Sequence, residues 1–277
     1  MNASGFKSIF CLCAALLGLS CLLNVSLSAQ GGGNLGLCLT RNGTVARAAI
    51  LYAGDHNDRL PPSLSNNSVP CAQKNYFGNA VRPYHDSWLN YRCPEDDLAE
   101  FALSQDECGP SSRFGSRGQL LITWAHKSHR GYNWLMLAPL INSPGISRPI
   151  QIAEVADPGS SIMLVDSIWQ RNAQGNPIGG GLYAVDAPCL TDSSGMFILP
   201  LPPGTTTFWW LGGWSPGTLS ANEFGRTWPW HNVWVGAMMD GSARTFTHED
   251  LTAGCDVHHD PYGRVFDMAA YLWDTRE

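Results

Sequence analysis

The stretch that most restricts this chain runs from Trp230 to Thr247, where Asp240-Gly241 separates two runs of β-favouring residues. Asp-Gly in that setting is a strong hairpin signal, because a type I′ turn needs positive φ at both central residues. The pattern predicts strands over 232–239 and 242–247, with Met239 opposite Ser242 and Val235 opposite Phe246. An aliphatic–aromatic pair across two strands fixes their register. His231 stands at the entrance of this hairpin.

A helix comes next in importance. Val45 to Ala53 is rich in helix formers, Thr44 or Asn42 can cap it, and Gly54 suits a left-handed exit. This predicts a helix over 44–53. Asp55-His56-Asn57-Asp58 then reads as a solvated turn, since Arg59 stands where an EF-hand needs an oxygen ligand. Gln119–Trp124 reads as a strand and Gly131-Tyr132-Asn133-Trp134 as a turn. Ile150–Val155 is expected to pair with Ile162–Ser167 across the loop Asp157-Pro158-Gly159-Ser160. Residues 168–229, rich in Trp, Gly and Pro, read as an insertion. Val265–Trp273 reads as a short helix.

Charge and cysteine usage narrow the setting. The formal net charge is -6, only 14% of residues are charged, and there is no basic run. That excludes an electrostatic footprint for nucleic acid. No acidic residue precedes Asp55, and Lys7 leads into the apolar run Ile9–Leu23, so residues 1–30 read as a signal peptide or membrane anchor. Beyond that segment lie six scattered cysteines, Cys38, Cys71, Cys93, Cys108, Cys189 and Cys255. In an exported chain these point to disulfides, with the pairing open.

Several of these landmarks carry a family resemblance. His231 with Asp240-Gly241, the run Ile50–Pro62 with Cys38 ahead of it, Cys93-Pro94, and the Pro158–Asp166 region resemble the prepilin-type "H…DG" processing-associated proteins. Those are bacterial pilin-like and pseudopilin-like proteins. The resemblance implies an α+β fold with an N-terminal helix packed on an antiparallel sheet and long loop insertions, over an extracytoplasmic domain at 31–277. It implies a non-catalytic structural role in a cell-surface or secretion-associated assembly. The partners implied are other pilin-like subunits or envelope components. It also implies a Cys38–Cys93 disulfide that staples the helix to the following loop. Gly5-Phe6 resembles a prepilin cleavage point, which would leave the apolar segment as an anchor in the membrane. Signal-peptidase cleavage near Ala29 would instead release a secreted protein. Phe10 occupies the place where pilins carry a glutamate, and Gly31-Gly32-Gly33 would interrupt a continuous pilin helix.

No catalytic residue, metal ligand or cofactor is assigned from the sequence. His126 and His129, His248-Glu249-Asp250, and His258-His259-Asp260 offer ligand atoms but lack a metal motif. This leaves a secreted metal-dependent hydrolase as one alternative. Asp166-Ser167 with His231 can be drawn as a triad, but no nucleophile elbow accompanies them. A second alternative is a secreted glycan-binding module that uses Trp209, Trp210, Trp214, Trp228 and Trp230. Tryptophan presents a flat apolar face with a polar handle, which suits sugar rings and cores alike.

Overall fold

Gly33, with φ at 90°, turns the chain into α1 (Asn34–Asp55). The computed structural model describes residues 33–64, 75–99, 124–141, 146–201, 203, 205, 213–214, 223–258 and 263–275. The helix begins ten residues before the expected 44. The residues read as caps lie inside it. Thr44 Oγ1 donates back to the Thr40 carbonyl, and the Asn42 side chain points into the protein. Gly43, which looks like a breaker, allows a close approach: a Cβ there would lie 3.4 Å from the Gly241 carbonyl oxygen and 3.6 Å from Ala243. The inward stripe Cys38, Asn42, Val45, Ala46, Ala49 and Ala53 recurs at helical spacing and consists mainly of small residues. At the other end, Asn57 and Asp58 adopt the left-handed conformation, rather than Gly54.

The helix lies on a five-stranded sheet, chiefly over β6 (Trp234–Met238) and β7 (Ala243–Phe246). The other three strands are β1 (Arg130–Asn133), β4 (Ile162–Asp166) and β5 (Ala184–Val185). Their order is β5-β1-β4-β6-β7, antiparallel throughout except for the parallel β5–β1 pair. The fold is therefore mixed α+β with a mostly antiparallel sheet. β4 is central and buried along its whole length, which explains why it reads as a continuous apolar run. Two smaller ladders, β2 (Leu140–Ile141) with β3 (Ile146–Ser147) and β8 (Cys255–Asp256) with β9 (Arg264–Val265), lie outside this sheet. The aromatic rings of Trp214, Phe224, Trp234 and Trp273 meet edge to face in the core.

The hairpin forms, one residue out of the expected register. Trp234, not Val235, faces Phe246, and Ala237 faces Ala243. The cause is the turn. Gly241 N–H donates to the Met238 carbonyl and Met238 N–H to Ser242, so the connection is Met239-Asp240-Gly241. Gly241 has φ of +82° and Asp240 is not left-handed. That is a three-residue loop closed by a left-handed glycine, not a type I′ turn. Asp240 Oδ1 accepts from the Ser242 N–H at 2.8 Å, an interaction that a two-residue reading does not anticipate.

Other expectations also need correction. Ile162–Asp166 is a strand, but it pairs with β1 and β6 and not with 150–155. The latter stretch makes one bridge, Arg59 with Gln151, and a 3-10 turn over Ile152–Glu154. A central strand needs partners on both edges, and the 157–160 loop curls on itself instead, with Gly159 N–H donating to Asp157 Oδ1. Gly131–Asn133 is strand, and Trp134 opens a one-turn helix over Trp134–Leu137. Val265–Trp273 is not a helix: Val265 ends β9 and turns follow. The strand expected over 119–124 lies outside the described residues apart from Trp124, which is helical. The 168–229 insertion supplies β5 to the sheet, and Thr227 bridges Ser167. Cys189 and Cys255 form a disulfide, while Cys71 and Cys108 lie outside the described residues.

Candidate functional site

Four chain segments converge beneath α1. Cys38 comes from the first turns of the helix, and Cys93 follows the 3-10 turn Trp88–Tyr91. Asp166 ends the central strand, and His231 precedes β6. One sulfur, nitrogen or oxygen from each of these side chains lies within 4.8 Å of all the others. The Sγ atoms of Cys38 and Cys93 are 4.0 Å apart, Cys93 Sγ is 3.5 Å from His231 Nε2, and Cys38 Sγ is 3.3 Å from Asp166 Oδ2. Cys38, Cys93 and Asp166 are fully buried.

A second ring of groups holds these four in place. Arg130 stands opposite Asp166 across the β1–β4 ladder and donates from Nη1 to Asp166 Oδ1 and, at 3.2 Å, to Cys38 Sγ. Its other nitrogens are taken by the Asn90 and Arg92 carbonyls at 3.1 Å each, so the guanidinium cannot swing away. Asn42, one helical turn after Cys38, donates to Asp166 Oδ1 at 3.1 Å. Asp166 Oδ1 is thus occupied, and Oδ2 faces the sulfur. On the outer side, His231 Nδ1 lies 3.7 Å from the half-exposed Glu95 carboxylate. Close by, the buried pair Asp96–His129 closes at 2.7 Å, with Gly180 N–H also donating to Asp96. Burial alone would raise the Asp96 pKa, but the hydrogen bond and charge of His129 with the backbone donors bring it below the usual carboxylate value.

Burial and mutual charge decide protonation within the cluster. Cys38 is drawn down to about 3 by the hydrogen bond from Cys93, then by Arg130, against the opposing effect of burial. Cys93 moves the opposite way, raised by that same contact and by burial. Burial lifts Asp166 well above the carboxylate range, and the charge on Cys38 adds to this. For Arg130, burial would favour loss of the proton, but the charges of Cys38 and Asp166 more than reverse it.

The residues expected to matter are divided by this geometry. Cys38, Cys93 and His231 come together, whereas Asp240 and Gly241 shape the distant end of the hairpin. Cys38 and Cys93 are free thiols and not the expected disulfide, with their sulfurs farther apart than the ~2.05 Å of a bond. Asp166 belongs to the site, but Ser167 does not: its hydroxyl is held by the Ser128 and Leu182 backbone. Trp214 is buried, with its indole N–H donating to the Asp186 carbonyl, which leaves no open face for a sugar. Trp230 donates to the Ser167 carbonyl and packs on His129, and Trp228 lies under Arg171. Trp209, Trp210, Gly5, Phe6 and Ala29 lie outside the described residues.

Among the described residues, the histidine groups singled out in the sequence do not assemble; His259 and Asp260 lie outside them. His129 is committed to Asp96, His126 stacks on Tyr76, His248 packs among aromatic rings, and His258 lies by Asp256 at the surface. Among the described residues, the one group of three or more candidate ligands is the Cys38 cluster. Sequence reasoning missed Arg130, Asn42 and Glu95. Two signals were available: an acid closing a wholly apolar strand, and a polar residue one helical turn after a buried cysteine. Two surface clefts among the described residues, one around Arg244, Phe246 and Asp250 and the other around Asp157, Ser160 and Met268, do not reach the cluster. No helix among the described residues is long and apolar enough to cross a membrane. No protein-family model matches this chain, and comparison with curated proteins and with solved structures yields no match.

Proposed function

We propose that this chain is a non-catalytic, pilin-like protein exported to the bacterial cell envelope, where it serves a cell-surface or secretion-associated assembly. One observation carries the reading. Cys38, Cys93, Asp166 and His231 come from four separate landmarks of the resemblance, and they meet in a single buried cluster. A chance likeness of short motifs gives no reason for distant segments to converge. A helix laid on a mostly antiparallel sheet is compatible with a pilin-like fold. The Cys189–Cys255 disulfide favours an oxidising compartment outside the cytoplasm. The cluster is sealed beneath α1, which suits a structural role better than turnover of a substrate.

In this reading the partners are other pilin-like subunits or envelope components, and residues 1–30 either anchor the chain or are removed on export. The test is to express the full chain in a bacterium that has both a prepilin peptidase and a signal peptidase. Fractionation and the mass of the mature protein then give its location and its first residue. Cleavage after Gly5 with membrane retention supports an anchored pilin-like protein, and cleavage near Ala29 supports a secreted one. An uncleaved chain in the cytoplasm overturns the proposal.

A further inference from the structure

We infer that Cys38, Cys93, Asp166 and His231 are the four ligands of a closed structural site for a zinc-type divalent cation. This inference rests on distances and chemistry at the site and stands whether or not the chain is pilin-like.

The spacing is the first argument. Bond lengths of ~2.3 Å to sulfur and ~2.0 Å to nitrogen or oxygen, at tetrahedral angles, place ligand pairs about 3.3–3.8 Å apart. The observed contacts are 4.0 Å between the sulfurs, 3.5 Å from Cys93 to His231 and 3.3 Å from Cys38 to Asp166. Those values are too long for a disulfide and close to what a shared ion imposes. The donor set is the second argument. Two thiolates, one imidazole and one carboxylate form a borderline-soft set that suits zinc and not magnesium or calcium, which take oxygen ligands.

The surroundings supply a third, independent argument. Metal-binding histidines characteristically direct the second ring nitrogen to a carboxylate or carbonyl. His231 turns Nε2 toward the sulfurs and Nδ1 toward Glu95. Asp166 has Oδ1 held by Arg130 and Asn42, which leaves Oδ2 as the inward lone-pair donor. Charge also closes: three anionic ligands are neutralised by one dication together with Arg130. Four protein ligands fill a tetrahedral shell, and the site is buried, so no open position remains for substrate or reactive water. The ion would join α1, the Cys93 loop, the central strand and the entrance of β6 at one point.

The test uses the full chain, purified without chelator, with zinc counted by native mass spectrometry and elemental analysis. The expected result is one zinc per chain, lost in Cys93→Ser and kept in His258→Asn, whose histidine is remote and exposed. Glu95 is 40% exposed on its side chain, so Glu95→Gln can be expected to fold. Its zinc affinity should fall by about 10-fold or more, as for loss of a partner that orients a ligand. Replacing zinc with cobalt(II) should give an intense tetrahedral spectrum with a thiolate charge-transfer band that Cys93→Ser abolishes. A reduced, folded wild-type chain that takes up neither ion overturns the inference. So does a Cys38–Cys93 disulfide whose reduction is followed by no metal uptake, or zinc retained undiminished in Cys93→Ser.

Discussion

Arg47 Nη1 donates a 3.2 Å hydrogen bond to the carbonyl oxygen of Gly241, so α1 grips the hairpin at its turn. Gly241 meets two demands at once. Its φ of +82° is a conformation that L side chains rarely adopt, and a Cβ would come within 2.8 Å of Arg47 Cγ. Replacing it with valine should destabilise the protein by about 1–3 kcal/mol through backbone strain. Alanine should fall at the lower end of that range, because the Arg47 stem can move. Urea unfolding of the two variants checks this, and unchanged midpoints would exclude the turn geometry described.

Arg130 and Asp166 invite a different substitution. Both are fully buried, and Arg130 uses its guanidinium fork on Asn90, Arg92, Cys38 and Asp166 together. Removing one partner of a buried ion pair costs about 3–5 kcal/mol because the other charge is left uncompensated. Arg130→Leu should reach that range. Arg130→Lys restores the charge but not the planar fork and should recover only part of the loss. Denaturant unfolding at constant zinc checks both. Full recovery with lysine would mean that charge alone matters at this position.

How much of this was legible in the sequence depends on the range of the interaction. The hairpin, the central strand and the body of α1 were readable, since each follows from neighbouring residues. Register was not, because whether Asp240-Gly241 makes a two- or three-residue loop depends on hydrogen bonds of Met238 and Ser242 and on the fit of Gly241 against Arg47. The N-terminal turns of α1 were missed because Gly43 and Thr44 look like a boundary until Gly43 is seen against the sheet. The cluster is wholly non-local. Nothing near Cys38 announces Cys93, Asp166 or His231, and no motif spacing exists for ligands drawn from four segments. The resemblance paired Cys38 with Cys93, and a paper triad paired Asp166 with His231, but neither joined all four residues.

The Cys189–Cys255 disulfide spans 66 residues and ties the insertion to the β8–β9 ladder. A loop of that size should contribute about 2–4 kcal/mol by restricting the unfolded chain. The Cys189→Ala/Cys255→Ala double variant should lose that much stability. Zinc content should stay at the parental level, since neither residue belongs to the Cys38 cluster. Parallel measurements of unfolding and bound metal separate the two cysteine pairs. A double variant as stable as the parent would mean that the loop is already constrained without the bond.

His85, which follows the 3-10 turn Arg82–Tyr84, sets a pH dependence of stability. Its Nε2 lies 2.7 Å from Tyr91 Oη, whose hydroxyl donates to the Gly78 carbonyl, so the imidazole carries its proton on Nε2. Nδ1 then accepts from Asn90 Nδ2 at 3.4 Å, and a second proton would break that contact. Burial, with the nearby Arg82 charge, lowers its pKa from 6.5 to about 4. The folded protein therefore binds fewer protons than the unfolded chain between these two values, and stability rises with pH across that window. The contribution is complete above the unfolded pKa and is lost as pH falls through the folded one. His85→Gln can keep the donor to Tyr91 without a titrating group. Unfolding measured at pH 7 and pH 5 should show a smaller decline for the variant than for the parent. Equal declines would place the acid sensitivity elsewhere and remove His85 from any part in it.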